Sequence, residues 1–226
     1  MENFAPIAFN DVIIKDGFWR HRIDINENVT IYAVRDRFRD TGRFEAFKFN
    51  WTEGSDLPKP HIFWDSDVAK WIESVAYILA TKEDKELSDN VNEVISLMEE
   101  HQCEDGYFNI FFTVVQPENR WANRDWHELY CAGHLMEAAV AYAAATGKTK
   151  FLSCMEKYAD YIAKIFMEEH SAAFHTPGHE EIELALVRLY EATGEKRYFE
   201  LSEGVLSCLG VHRRACGDEL AVNVDY

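Results

Sequence analysis

Apolar residues recur along this chain with a period near 3.6, so most of it is expected to be helical. The pattern predicts seven helices, over about 21–40, 65–80, 84–101, 125–146, 149–169, 178–193 and 196–209. The 65–80 segment puts Val68, Trp71, Ile72, Val75, Ile78 and Leu79 on one face, with Asp65 or Ser66 as its cap. The next face is Leu87, Val91, Val94, Ile95 and Met98. Leu129, Ala132, Leu135, Ala139 and Tyr142 form another, which stops at Gly147. Phe151, Met155, Tyr158, Ile162 and Ile165 follow, then Ile182, Leu186, Leu189 and Tyr190, which stop at Gly194. Only residues 7–14 have a weak strand character.

Six of the seven helices fall into consecutive pairs. Each pair turns on a threonine followed by a charged segment: Thr81-Lys-Glu-Asp, Thr146-Gly-Lys-Thr and Thr193-Gly-Glu-Lys. The threonines are 65 and 47 residues apart. Gly147 and Gly194 supply the left-handed residue that ends a helix. Such short turns make antiparallel neighbours, and repeated hairpins make a solenoid or an α/α toroid. The loops between hairpins are long and aromatic, as in Asp105-Gly-Tyr-Phe-Asn-Ile-Phe-Phe112 and around Trp121 and Trp126. Long ordered loops at one end of a repeat array commonly build a site.

Charge narrows the function. The 226 residues carry 40 acidic and 23 basic side chains, a net charge of −17. Nucleic acid and anionic membrane surfaces are poor partners for that balance. The start of the sequence has no basic, apolar leader pattern, and charges interrupt every apolar run. Five widely spaced cysteines, Cys103, Cys131, Cys154, Cys208 and Cys216, include no C-x-x-C. They read as reduced thiols of a cytoplasmic protein.

Three strings carry candidate chemistry. In Trp126-His127-Glu128-Leu129-Tyr130-Cys131-Ala132-Gly133-His134, a continuous helix would put His127, Cys131 and His134 on one face. That set admits a metal site, a packed core thiol with a hydrogen-bonded His134, or a ligand-binding His127. In His175-Thr-Pro-Gly-His-Glu-Glu181, Pro-Gly precedes a helix. Glu180 and Glu181 there would complement the helix dipole, whereas His179 is not favoured by it and suits ligand binding. In His61-Ile-Phe-Trp-Asp-Ser-Asp67, Trp64 could stack on a sugar and Asp65 or Asp67 accept hydroxyls, or the acids could simply cap the helix. His127 and His179 begin equivalent positions of successive hairpins, so both belong to one rim. No phosphate loop, Rossmann fingerprint or nucleophile elbow is visible.

Several of these strings closely resemble glycoside hydrolase family 127, the β-L-arabinofuranosidases. They are Gly17-Phe-Trp-Arg20, Trp64-Asp-Ser-Asp-Val-Ala-Lys-Trp71, Asp105-Gly-Tyr-Phe-Asn109, His127-Glu-Leu-Tyr-Cys-Ala-Gly-His134 with Glu137-Ala-Ala-Val-Ala141, and Pro177-Gly-His-Glu-Glu-Ile-Glu-Leu-Ala-Leu186. The resemblance implies an all-α fold, about half of an (α/α)6 toroid, with a short strand segment before it. The corresponding boundaries are an extended segment over 1–16, a partial barrel over 17–209 and a divergent tail over 210–226. Retaining hydrolysis of terminal β-L-arabinofuranosides is the implied activity of the whole enzyme. Sugar contact carries over to His127 and His179, with Glu128, Leu129, Pro177 and Gly178 of the same strings as further substrate-binding candidates. The family's catalytic residues, a zinc-bound cysteine nucleophile among them, lie beyond the matched stretch. An adjacent Cys-Cys pair is expected there and this sequence has none. No catalytic residue, metal ligand or cofactor is therefore assigned within it, although zinc belongs to the full-length family. The expected partner is a carbohydrate, and a partial barrel is expected to associate through exposed apolar flanks. The alternative is a non-catalytic helical-repeat module that binds sugar or protein.

Overall fold

The computed structural model describes residue 7 and residues 11–215, with side chains as far as residue 207. Its helices are α1 (Gly17–Ile25), α2 (Ile31–Asp40), α3 (Trp64–Leu79), α4 (Lys85–His101), α5 (Phe111–Val114), α6 (Glu128–Thr146), α7 (Lys150–Ala163), α8 (Ile182–Thr193) and α9 (Lys196–Ala215). Three hairpins, α3–α4, α6–α7 and α8–α9, are stacked in two rows. α6 packs between α3 and α8, and α7 packs against α4. α2 covers the other side of α3.

The apolar faces read from the sequence are the ones that pack. Val68, Trp71, Ile72, Val75 and Ile78 of α3 are buried, as are Leu87, Val91, Val94, Ile95 and Met98 of α4. Full burial of one such side chain contributes about 1.5–3 kcal/mol. α6 differs because neighbours flank it on both sides. Beyond its predicted face it also buries Cys131, Met136, Glu137 and Ala138.

The hairpin turns repeat in atomic detail. The Thr146 hydroxyl donates to the Tyr142 carbonyl at 2.6 Å, and that of Thr193 to the Leu189 carbonyl at 2.8 Å. Gly147 and Gly194 then reverse the chain at φ 71° and 76°, and their N–H groups close the last turns. The glycine N–H satisfies one orphan carbonyl, while the threonine hydroxyl bonds back to the carbonyl one turn earlier. At the first hairpin Thr81 donates instead to the Ile78 carbonyl, and Asp84 caps α4 by accepting from the Leu87 N–H at 3.1 Å.

Several boundaries differ from the sequence expectation. No strand forms over residues 11–15, because an exposed extended segment with no neighbour has nothing to satisfy its backbone. Residues 8–10 of that expected strand lie outside the described residues. The 21–40 helix starts at Gly17 and passes through a π turn at Asn26–Thr30. The helix expected to 169 gives way to a π turn at Lys164–Glu168. The helix expected from 125 begins at Glu128, and the one expected from 178 begins at Ile182. α9 runs to Ala215, past the expected end at 209. Of the expected tail, residues 216–226 lie outside the described residues.

The long loop between α4 and α6 is pinned from three sides. Gln102 donates to the Gly106 carbonyl at 2.9 Å and to the Cys154 carbonyl at 2.8 Å. Asp65 of α3 accepts from the Ile110 N–H at 3.0 Å. Gly106 has φ 94°, and a Cβ there would meet the Lys157 carbonyl oxygen at 2.5 Å. Gly54 also has positive φ, 84°, but faces open space. Gly106→Ala should therefore cost about 3 kcal/mol, the sum of a left-handed penalty and a clash, against about 1 kcal/mol for Gly54→Ala. Urea denaturation of both variants checks this, and equal losses would refute the role given to Lys157.

Candidate functional site

The inner helices α3, α6 and α8 start at the same end of the molecule, and the residues just before them converge. Phe63 precedes α3, His127 precedes α6 and His179 lies three residues before α8. The rings of Phe63 and His127 are 4.7 Å apart, and those of His127 and His179 are 4.6 Å apart. Tyr130, one turn into α6, lies 5.2 Å from the His179 ring and 4.5 Å from that of His134. Lys70 of α3 donates to the Tyr130 hydroxyl at 2.7 Å. An open recess of about 700 Å³ adjoins this cluster, lined among others by Arg43, Lys59, His61, Lys70 and Tyr130.

His127 is held in an unusual backbone state. Its φ is +66°, left-handed for a non-glycine residue, where a 3-10 turn over Arg124–Trp126 meets α6. Its carbonyl accepts from Cys131 N–H, so it begins the helix without being part of it. Its shielded Nδ1 has no hydrogen-bond partner. Burial, and then the neighbouring His179, hold its pKa below the usual histidine range. A neutral imidazole both donates and accepts, which suits a sugar hydroxyl.

Of the other candidates, Glu128 and Leu129 turn away from the recess. Leu129 is in the core. Glu128 accepts from the Tyr107 hydroxyl at 2.6 Å and from the Trp121 N–H at 2.7 Å. Burial pushes its pKa up to about 7, although both donors pull the other way. Pro177 is buried, and Gly178 lies so close to the preceding loop that a Cβ would meet the Arg124 carbonyl oxygen at 2.9 Å. Glu128, Leu129 and Pro177 are thus buried, and Gly178 lies against the turn that leads into His127. His179, Glu180 and Glu181 do not form a first helical turn, contrary to the sequence expectation. The segment is fixed instead by contacts with the 124–125 turn and with α6.

The His127, Cys131 and His134 face does not assemble either, because His127 is not helical. The Cys131 thiol points the other way and donates to the Ile62 carbonyl at 3.2 Å, and burial pushes its pKa far up. Cys154 is buried in the core, and Cys103 is half-buried beside Arg120. Cys208 and Cys216 lie outside the described side chains. In the third string, Trp64 is 9% exposed and Asp65 is fully buried, while Asp67 pairs with Arg43 at 3.0 Å. Asp65 serves as an anchor and cannot reach a sugar.

Sequence spacing missed Phe63, Tyr130 and Lys70. Aromatic residues at helical spacing read as core, and nothing local links Lys70 to a tyrosine 60 residues away.

Comparison with known proteins decides the family. The sequence profile described as "Beta-L-arabinofuranosidase, GH127 catalytic domain" matches residues 11–218. The chain belongs to glycoside hydrolase family 127. It is 40% identical over 156 residues to the non-reducing end β-L-arabinofuranosidase of Bifidobacterium longum, covering 66% of this chain and 23% of that protein. The solved GH127 β-L-arabinofuranosidase from Geobacillus stearothermophilus T6 superposes with a TM-score of 0.80 at 43% identity, over 87% of this chain and 32% of that one. A second solved β-arabinofuranosidase of family 127 gives a TM-score of 0.81 at 33% identity, over 91% of this chain and 34% of that one. The chain thus spans about a quarter to a third of the length of these relatives. It corresponds to an N-terminal portion of the family 127 catalytic domain, and the all-α hairpin array agrees with it.

Asp65 provides a test of how this family 127 loop is held. Burial pushes its pKa up to about 7, and only one of its oxygens is hydrogen-bonded. A carboxyl whose folded pKa is raised above its unfolded value binds more protons in the folded state. Its contribution is complete below about pH 4 and is lost as pH rises through about 7. Asp65→Asn should therefore flatten the fall in stability between those limits and be at least as stable as the parent near pH 8. Melting temperatures across that range check it, and an unchanged pH profile would contradict it.

Proposed function

We propose that these residues supply part of the sugar-binding wall of a family 127 glycosidase, with His127 and His179 as the sugar contacts. The observation carrying this reading is the pair of imidazoles 4.6 Å apart at the mouth of the inner helices. They lie beside the exposed faces of Phe63 and Tyr130, in two strings that match the family. Aromatic rings with neutral hydrogen-bonding groups suit a furanose, whose ring has both apolar and hydroxylated edges. The relatives' printed activity makes a terminal β-L-arabinofuranoside the proposed substrate of the whole enzyme. A carbohydrate partner also agrees with a charge of −17, which disfavours nucleic acid and anionic membrane.

The thiolate zinc centre that the family resemblance implies does not fit the described residues. The sequence has no adjacent cysteine pair, and the described thiols lie apart, two of them buried. The role proposed for these residues is to hold and orient sugar. The 226 residues alone are proposed to be inactive. Reduced thiols favour a cytoplasmic setting, and no described helix is long and apolar enough to cross a membrane. Exposed Leu184 on α8 and Leu206 on α9, with Phe18 and Trp19 on α1, leave apolar side chains for self-association.

The purified chain should release no arabinose from an aryl β-L-arabinofuranoside, and any zinc-dependent release would overturn the proposal. In NMR titrations with methyl β-L-arabinofuranoside, the imidazole signals of His127 and His179 should shift at millimolar sugar. A tight, micromolar site elsewhere would favour the binding-module alternative.

A further inference from the structure

Two carboxylates and an imidazole meet between α6 and α8, deeper than the sugar-facing histidines. His134 and Glu137 are one turn apart on α6, and Glu181 immediately precedes α8. One donor atom from each lies within 4.8 Å of the others. His134 Nδ1 is 3.0 Å from Glu181 Oε1, but at an angle that does not make a hydrogen bond. Glu137 is only 7% exposed. His134 Nδ1, Glu137 Oε1 and Glu181 Oε1 are all shielded from water and make no hydrogen bond, although Arg188 Nη1 stands 3.2 Å from Glu137 Oε1.

The charges around these atoms do not balance. Arg188 approaches Glu137 at 3.2 Å, yet it also approaches Glu73 of α3 at 3.5 Å. One guanidinium is thus divided between two carboxylates. Among the described residues, Glu181 has no lysine or arginine partner, only His134. Two half-buried or buried carboxylates side by side call for a further positive charge.

The backbone is shaped to bring Glu181 in. A Cβ on Gly133 would lie 2.7 Å from Glu181 Cγ and 3.2 Å from its carbonyl carbon and oxygen. A glycine inside a helix costs about 0.5–1 kcal/mol relative to alanine. Here the missing Cβ leaves the space into which Glu181 packs.

We propose that His134, Glu137 and Glu181 bind a divalent cation. One imidazole nitrogen and two carboxylate oxygens suit Zn²⁺ or Mn²⁺ better than Mg²⁺, which rarely takes nitrogen. The two carboxylates neutralise the ion's charge. The cation clamps α6 to α8. Its place is distinct from the sugar contacts, because the Tyr130 ring lies between His134 and His179. It is distinct from a thiolate centre, because no cysteine belongs to the set. The inference does not rest on the glycosidase reading.

The test uses the purified 226-residue chain, stripped with a chelator and titrated calorimetrically with MnCl2, with MgCl2 as reference. One Mn²⁺ per chain is expected, with a rise in melting temperature on binding. Disturbing an outer partner of a metal ligand commonly costs 10–100-fold in affinity, so Glu181→Gln and Glu137→Gln should each weaken binding by at least about 100-fold. Glu181→Gln, which has no lysine or arginine partner to lose among the described residues, should melt no lower than the parent in chelator, since it removes a repelling charge. No binding tighter than about 1 mM, or equal binding by the parent and both variants, overturns the proposal. A chain that ignores Mn²⁺ but melts higher on mild acidification also overturns it, with a shared proton as the missing charge.

Discussion

The arrangement of the recess depends on one buried carboxylate. Glu128 opens α6, and each of its oxygens takes a separate donor from the long loop before it, one from Tyr107 and one from Trp121. Nearly the whole path from α4 to α6 is thereby tied to the helix that carries the recess floor. Arg120 stacks over the Tyr107 ring at 4.1 Å and donates to the Phe112 carbonyl, so the same knot fixes the middle of the loop. The chain then has too few residues between Trp121 and Glu128 to approach α6 gently. It turns sharply through Arg124–Trp126 and enters the helix with His127 in the left-handed region. The strained backbone is the geometric result of a loop held at both ends, and it aims the imidazole out of the helix and toward His179.

A second constraint is close approach. Glycine at 133 and 178 lets the segment before α8 lie directly on α6 and on the 124–125 turn. Thr176 strengthens that contact by accepting from Arg124 at 3.0 Å. The result is a seam in which residues 52 positions apart, His127 and His179, are fixed relative to each other by backbone contact. Side-chain packing alone would leave both rings freer, since neither is fully buried.

Most of the helical layout was legible because burial follows the 3.6 period wherever a helix has one covered face. The faces of α4 and α7 show this most plainly. The turns were legible because Thr146-Gly147 and Thr193-Gly194 satisfy their own helix ends locally. What escaped was set by distant residues. Pro-Gly followed by acids has every local mark of a helix start, yet residues 178–181 obey Gly133 and Arg124 instead. His127 reads as helical until the pull of Trp121 on Glu128 is included. Glu128 reads as a polar rim residue until its two donors, from 21 and 7 positions earlier, are seen. The two histidines were singled out through family strings, whereas Phe63, Tyr130 and Lys70 carry no local signal beyond helical amphipathicity.

The electrostatics of the recess follow from how these constraints distribute charge. The chain as a whole is strongly acidic, but the recess wall gathers Arg43, Lys59, His61 and Lys70 against Asp67. The acids nearest to it are taken inward. Glu128 and Asp65 anchor the loop, while Glu137 and Glu181 face each other behind Tyr130. Burial raises the pKa of Asp65, Glu128 and Glu137 to about 7 in each case. These carboxylates are removed from the surface, at a cost in stability that grows as the solution becomes alkaline. Tyr130 is the boundary between the two regimes: its hydroxyl is held by Lys70 on the recess side, and its ring covers His134 on the acidic side. One aromatic side chain thus separates a predominantly basic recess wall from an interior with unbalanced negative charge.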